Sequence, residues 1–279
     1  MTFSLGQTIL DLLNAVYGFW NSQVAIVFSL LGQSPESFQG GGAWAYIESV
    51  EPYFVAIGSS LVVLFFVIGF CSESVSLPDE FRFENILRSL IRVVIAEWLV
   101  VNNITILEAI FTSCGRLVNL LGGSSAQTLK IADNAAETIK NLDFMSSLLF
   151  LILAAVLSLV IIVCGLYLIY LVYFRFLKLF LVVPLGALAF STVGSSRGIA
   201  QIGLSYTKYF FSVAFEAVVI AMAILVCNAF ISSGLPEFAG DYAEWTKTLI
   251  YLAEMTFSIA VTVGAVKGAQ TLTQRAFGI

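Results

Sequence analysis

The residues of this sequence that most need a chemical explanation are two acids inside long apolar segments. Glu216 and Glu254 each lie seven or more residues into such a segment. A carboxylate at that depth in a bilayer costs about 2.5 kcal/mol or more unless it is paired or hydrated. One interpretation is an ion pair within the same helical bundle, for which Arg88, Arg92 and Lys178 are the candidate cations. The others are a water-filled lumen, a contact between subunits, or a proton- or cation-binding site.

The composition argues against catalytic and metal chemistry. The chain has 279 residues and no histidine, which removes imidazole acid–base catalysis, Ser-His-Asp triads and most zinc or copper sites. Its four cysteines lack CxxC spacing, and its acids are scattered over different apolar segments rather than paired. We therefore expect no catalytic residue, no metal, no cofactor and no small-molecule substrate.

A glycine-rich stretch near the N-terminus, GQSPESFQGGGAWAY at residues 32–46, raises the question of phosphate binding. A phosphate loop also needs a Lys-Ser/Thr pair that follows the glycines. Here Ala43 and Trp44 follow them, and no lysine occurs before Lys130. A flexible joint between two helices is therefore the favoured interpretation.

The overall composition is typical of a polytopic helical membrane protein. Hydrophobic residues make up 59% of the chain and charged residues 11%, against about 45–50% and about 25% in soluble domains. A net charge of −5 also disfavours a nucleic-acid clamp on the protein surface. The predicted spans are residues 54–71, 86–106, 147–174, 209–231 and 247–266.

Two further segments have an open relation to the membrane. Residues 176–193 carry Lys178 and Pro184, and proline interrupts the helical hydrogen-bond ladder. Lys and Arg in the flanks satisfy the positive-inside bias if this segment is re-entrant and the N-terminus is extracytoplasmic. A sixth full crossing is the alternative. Residues 3–31 carry a narrow polar stripe, which predicts an amphipathic helix on the membrane surface, with a span as the alternative.

These patterns predict an all-α fold with about five transmembrane helices, a re-entrant or sixth helix, and an N-terminal amphipathic helix. Residues 1–53 would form that helix and the glycine-rich joint, outside the cytoplasm. Residues 54–106 would form the first two membrane helices, and 107–146 an extracytoplasmic loop with short helices. Residues 147–279 would form a membrane-embedded C-terminal half.

Small residues on the last predicted span suggest close helix packing. Ala260, Gly264 and Gly268 recur every fourth residue, a spacing that lets helix backbones approach each other in lipid. Packing within the chain and a contact between subunits both explain this stripe.

Two stretches of the sequence carry a family resemblance. The first is GQSPESFQGGGAWAYI, which fits the pattern GQ-(Ser/Thr)-P, aromatic, Gly-Gly ahead of a span. The second is YFRFLKLFLVVPLGALAF at 173–190, followed by GLSYTKYFFSVAFEAVVIAMAI at 203–224. Together they resemble the TrbL-like channel proteins of conjugative type IV secretion systems in Gram-positive bacteria. The order of parts agrees over nearly the whole chain, but Glu216 departs from the family pattern.

The resemblance implies a non-enzymatic subunit of a cell-membrane channel that exports a DNA–protein substrate during conjugation. The implied partners are a homo-oligomeric ring such as a pentamer, other secretion-channel subunits, secretion ATPases, the lipid bilayer, and transiently the transferred single-stranded DNA with its relaxase. The candidates for lining a lumen or an oligomer contact are Glu216, Glu254, Arg88, Arg92, Lys178, Gly264 and Gly268. A secondary transporter that uses Glu216 and Glu254 for ion coupling is the alternative, although no internal repeat supports it.

Overall fold

The computed structural model describes residues 5–76, 83–122, 129–195, 197–232 and 244–279. The regular elements in these ranges are all helical, which confirms the predicted all-α fold. The α-helices are α1 (Leu5–Leu31), α2 (Gly42–Ser76), α3 (Phe83–Val101), α4 (Asn103–Gly122), α5 (Asp133–Lys140), α6 (Phe144–Val182), α7 (Leu185–Ser191), α8 (Arg197–Ser232) and α9 (Glu244–Ala276). Short 3-10 turns precede α2 at Phe38–Gly41 and follow α7 at Thr192–Gly194.

Five helical segments of the described chain are long and apolar enough to cross a membrane, in agreement with the predicted number. They are Phe38–Cys71, Asn103–Gly122, Phe144–Val182, Gly198–Phe230 and Trp245–Ala276. The first helix, α1, is not among them. On α1 the polar residues Gln7, Asp11 and Asn14 are exposed, while the opposite face is buried. Because the described chain has five helical segments of this kind, the protein is a polytopic helical membrane protein.

The second predicted span, 86–106, is wrong in its boundaries. The structure divides this segment at Asn102, and the candidate span is Asn103–Gly122. The Ile104 amide donates to the Glu51 carboxylate at 3.3 Å instead of to a helical carbonyl, which accounts for the interruption. Part of the region 107–146, predicted as a loop with short helices, is consequently a long apolar helix.

The chain forms two compact units, of which the first contains residues 1–31, 118–173 and 218–269. The apolar stripe of α1 packs there against α5, α6 and α9. Its core is Ile9, Leu10, Leu13, Ile139, Phe150, Ala154 and Leu252. The Asn21 side chain holds the chain ahead of α5 with two 3.0 Å hydrogen bonds, one to the Leu129 carbonyl and one from its amide. This unit therefore ties the N-terminal helix to segments made much later in the chain.

The second unit contains residues 32–117, 174–217 and 270–279. Its helix α6 continues to Val182, beyond the predicted span end at residue 174, and then breaks before Pro184. Asn103 donates to the Val183 carbonyl at 3.1 Å and Tyr206 donates to the Val182 carbonyl at 3.1 Å. The Val183 carbonyl also accepts from the Gly186 amide at 3.1 Å. Side chains from α4 and α8 thus add hydrogen bonds to carbonyls at the break, where the regular helical pattern is interrupted.

The segment after the break is short. Leu185–Gly194 covers ten residues, or about 15 Å at 1.5 Å per residue, against about 30 Å for a bilayer core. The chain then continues into α8 from Arg197. Leu185–Gly194 is therefore too short to form a full crossing by itself.

Candidate functional site

The glycine-rich stretch forms a turn that Phe38 anchors within the second unit. The Phe38 ring is buried and stacks on Phe176, with ring centroids 3.8 Å apart. Gln39, Gly40 and Gly41 all have positive φ, and a Cβ on Gly41 would lie 2.5 Å from the Glu36 carbonyl oxygen. Glycine is therefore required at Gly41 for the turn itself.

The second unit brings two of the predicted site residues together. Lys178 on α6 donates to both carboxylate oxygens of Glu216 on α8, at 3.0 and 3.2 Å. Their side chains are only 13% and 8% exposed. The pair confirms the interpretation of Glu216 as half of an ion pair inside the bundle, and the cation is Lys178. Removing Glu216 would leave a buried positive charge without its counter-ion.

Arg175 lies one helical turn before Lys178 and is fully buried. Its guanidinium carbon lies 4.5 Å from the centroid of the Phe111 ring and 5.2 Å from that of Phe176. Nη2 donates to the Ala214 carbonyl at 3.5 Å, while Nε and Nη1 have no hydrogen-bond partner in the described part of the chain. The aromatic faces stabilise the cation, but most of its donors lack acceptors.

Sequence reasoning missed Arg175 because it treated this arginine as a flank of a membrane span. The structure instead continues α6 through it to Val182. A signal was present in the stretch FRFLK, where Arg175 and Lys178 are three residues apart and aromatic residues adjoin the arginine. That spacing directs both cations to one side of a helix.

The other two predicted cations, Arg88 and Arg92, lie on α3, and Glu216 pairs with Lys178 rather than with them. The Arg88 side chain is exposed and that of Arg92 is half-buried. Glu97 of α3 accepts a 2.7 Å hydrogen bond from Ser59 on α2. The outward face of α3 is apolar and exposed at Leu90, Ile91, Val94, Ile95 and Trp98. On α3, Glu97 therefore makes a polar contact with α2, while the exposed face is mainly apolar.

The remaining predicted residues lie on α9, in the first unit. The Glu254 side chain is half-buried, and no ion pair or side-chain hydrogen bond joins it to another described residue. Ala260 and Gly264 are exposed, and a Cβ added at Gly264 or Gly268 would meet no atom within 4 Å. The small-residue stripe on α9 thus faces open space instead of a neighbouring helix of the described chain.

Comparison with known proteins identifies the family. A family model described as TrbL/VirB6 plasmid conjugal transfer like protein matches residues 20–187, more than half of the 279 residues. Searches of curated proteins and of solved structures found no match. The matched region includes the anchored glycine turn, Arg175, Lys178 and Pro184, whereas Glu216 lies beyond it. With its multi-pass helical architecture, the chain belongs to the TrbL/VirB6 plasmid conjugal transfer-like family.

Proposed function

We propose that this protein is a non-enzymatic subunit of a conjugative type IV secretion channel, in which several copies form a platform for export of a DNA–protein substrate. Family membership supports a component of a conjugal transfer channel. The other proposed partners are further channel subunits and secretion ATPases, with transient contact to single-stranded DNA and its relaxase. The proposed orientation has the N-terminus outside the cytoplasm, on the basis of the positive-inside bias.

The observation that supports an oligomer is the stripe of small residues on α9, formed by Ala260, Gly264 and Gly268. The opposite face of this helix is buried at Ile259, Val263 and Val266. Ala260 and Gly264 are exposed, with large apolar side chains beside them at Phe257 and Val261. Small residues flanked by apolar ones let two helices pack closely in lipid. A second copy of the chain is the occupant that we propose for this face.

Glu254 supports the same assignment. A lone carboxylate on a lipid-facing surface is unfavourable by about 2.5 kcal/mol or more, and Glu254 has no ion-pair partner in the described chain. A subunit contact or a water-filled lumen would hydrate or pair this charge. The acid therefore favours assembly of α9 against something other than lipid.

Disulfide crosslinking tests the oligomer directly. The variant would lack the native cysteines Cys71, Cys114, Cys164 and Cys227, and would carry Gly264→Cys. Oxidation of donor-cell membranes should then yield a covalent dimer on a non-reducing gel. Leu159→Cys on α6, which is 62% exposed in the same unit, is the matched control and should remain monomeric. A monomer at Gly264→Cys, or equal crosslinking at both positions, would contradict this interface.

The role in transfer is tested separately. Donor cells that lack the gene should lose mating, and a plasmid copy should restore it. Undiminished transfer by the deletion strain would overturn the proposed function and direct attention to Glu254 as an ion-coupling residue of a transporter.

A further inference from the structure

Two buried cations share a single carboxylate in the second unit. Arg175 and Lys178 both lie on α6, and Glu216 on α8 binds Lys178 with both of its oxygens. Glu216 is also an electrostatic partner of Arg175. The three side chains therefore carry a net charge of plus one in a place with little access to water, where unpaired charge is unfavourable.

Arg175 is the cation that this arrangement leaves short of acceptors. It is 0% exposed, its Nε and Nη1 have no hydrogen-bond partner among the described residues, and its bond to the Ala214 carbonyl is long at 3.5 Å. Phe111 and Phe176 offer ring faces but no acceptor in the plane of the guanidinium. Through Ala214 the guanidinium already contacts the backbone of α8. Glu216, the one acid of α8, lies two residues after Ala214 and is the acceptor that this geometry offers.

The two cations differ in what they can do without Glu216. Lys178 is 13% exposed, and a lysine ammonium on its flexible stem can extend along an apolar surface to reach water. Arg175 has no such exit, since it is fully buried. A carboxylate that moved to Arg175 would form a bidentate pair and satisfy two donors at once. One pairing neutralises Lys178 and leaves Arg175 short of acceptors, whereas the other supplies Arg175 with acceptors and leaves Lys178 to water.

We propose that Glu216 is a shared counter-ion whose carboxylate exchanges between Lys178 and Arg175. The Lys178 pairing is the one in the structure. In the other pairing, Glu216 binds the Arg175 guanidinium and Lys178 extends towards water. The net charge of the cluster is the same in both pairings. This inference does not rest on the proposed oligomer.

The exchange is tested by the unfolding midpoints of three variants. The deciding result is whether adding Glu216→Gln to Lys178→Gln lowers or raises the midpoint. In purified protein, Lys178→Gln should lower the unfolding midpoint by no more than about 2 °C, because Arg175 takes over the carboxylate. Adding Glu216→Gln to Lys178→Gln should lower it by a further 4 °C or about that amount, because Arg175 then loses its acceptor. Lys208→Gln, at an exposed lysine of α8, controls for loss of a positive charge. A double variant more stable than Lys178→Gln would mean that Glu216 has no cationic partner once Lys178 is removed, and would overturn the proposal.

A spectroscopic measurement gives a second readout that does not depend on unfolding temperatures. Arginine labelled with ¹⁵N gives an Nε–H signal for Arg175, assigned by its loss in Arg175→Lys. We expect this signal to be broadened by exchange in the native protein and to sharpen at a shifted position in Lys178→Gln. One sharp signal in the native protein would overturn the proposal, whatever the variants do.

Discussion

The two intramembrane acids of this protein have opposite surroundings. Glu216 in the second unit is 8% exposed and binds Lys178 through both oxygens. Glu254 in the first unit is half-buried, and no ion pair joins it to the described chain. The same residue type in a long apolar helix thus forms a buried ion pair in one place and has no ion-pair partner among the described residues in the other. An acid in a predicted span is therefore informative about function only once its partner is known.

The strongest test of this difference is Glu216→Leu. The substitution leaves Lys178 and Arg175 without their counter-ion, and breaking a buried pair costs about 3–5 kcal/mol. We expect a large drop in the unfolding midpoint of the purified protein and little protein in donor membranes. Glu254→Leu is the matched control and should unfold at the native temperature. Equal stability of the two variants would remove the distinction between the acids.

A second test enlarges the small-residue stripe. A Cβ added at Gly264 meets no atom of the described chain within 4 Å, so we expect Gly264→Leu to leave the stability of the monomer unchanged. In a close helix contact, overpacking costs about 1–3 kcal/mol, and the oligomer should dissociate in size-exclusion chromatography. Gly186→Leu gives the contrast, because its Cβ would meet Asn103 and Tyr206 within the chain. That variant should unfold early, and an undisturbed oligomer in Gly264→Leu would exclude the stripe as the interface.

A third test concerns transfer itself. Glu254→Leu should lower mating frequency about tenfold, the change expected if the acid contributes about 1.4 kcal/mol to a contact outside the chain. The amount of protein in the membrane should stay constant, which immunoblotting of donor membranes would verify. Restored transfer in Glu254→Gln would indicate a hydrogen bond at this position, whereas native transfer in both variants would give Glu254 no role.

The smallest expected effect concerns a single hydrogen bond in the unit that contains Glu216, and it gives a scale for the loss of the ion pair. Tyr206→Phe removes the hydroxyl that donates to the Val182 carbonyl at the α6 break. One hydrogen bond of this kind contributes about 1 kcal/mol, so a modest fall in the unfolding midpoint is expected. A fall as large as that of Glu216→Leu would show that the break depends on this hydroxyl more than the bundle depends on its ion pair.

The fold class was accessible from sequence because it depends on the length of apolar runs. The break at Pro184 was accessible as well, since proline lacks the amide that a helix needs. The division at Asn102 was not, because it depends on a hydrogen bond to Glu51 from a distant part of the chain. Hydropathy averages residues along the sequence and carries no information on such a contact.

The candidate site was predicted only in part for a similar reason. Three cations were open as partners of Glu216, and only the packing of α6 on α8 selects Lys178. Arg175 was missed because the positive-inside bias assigns arginines to loops, whereas here aromatic rings surround one inside a helix. The sequence also did not determine that Gly264 is exposed. The spacing of small residues shows that they share one face of a helix, but not whether another helix of the chain packs against that face.

The contacts of α1 have a consequence for biosynthesis. Ile9, Leu10 and Leu13 lie in a cluster with Ile139, Phe150 and Leu252, so α1 obtains its last neighbour in this cluster only after α9 has been translated. Chains grow at about 5–20 residues per second, which leaves the apolar stripe of α1 incompletely covered for about ten seconds or longer. The packing of α1 is therefore completed late in the synthesis of this region of the chain.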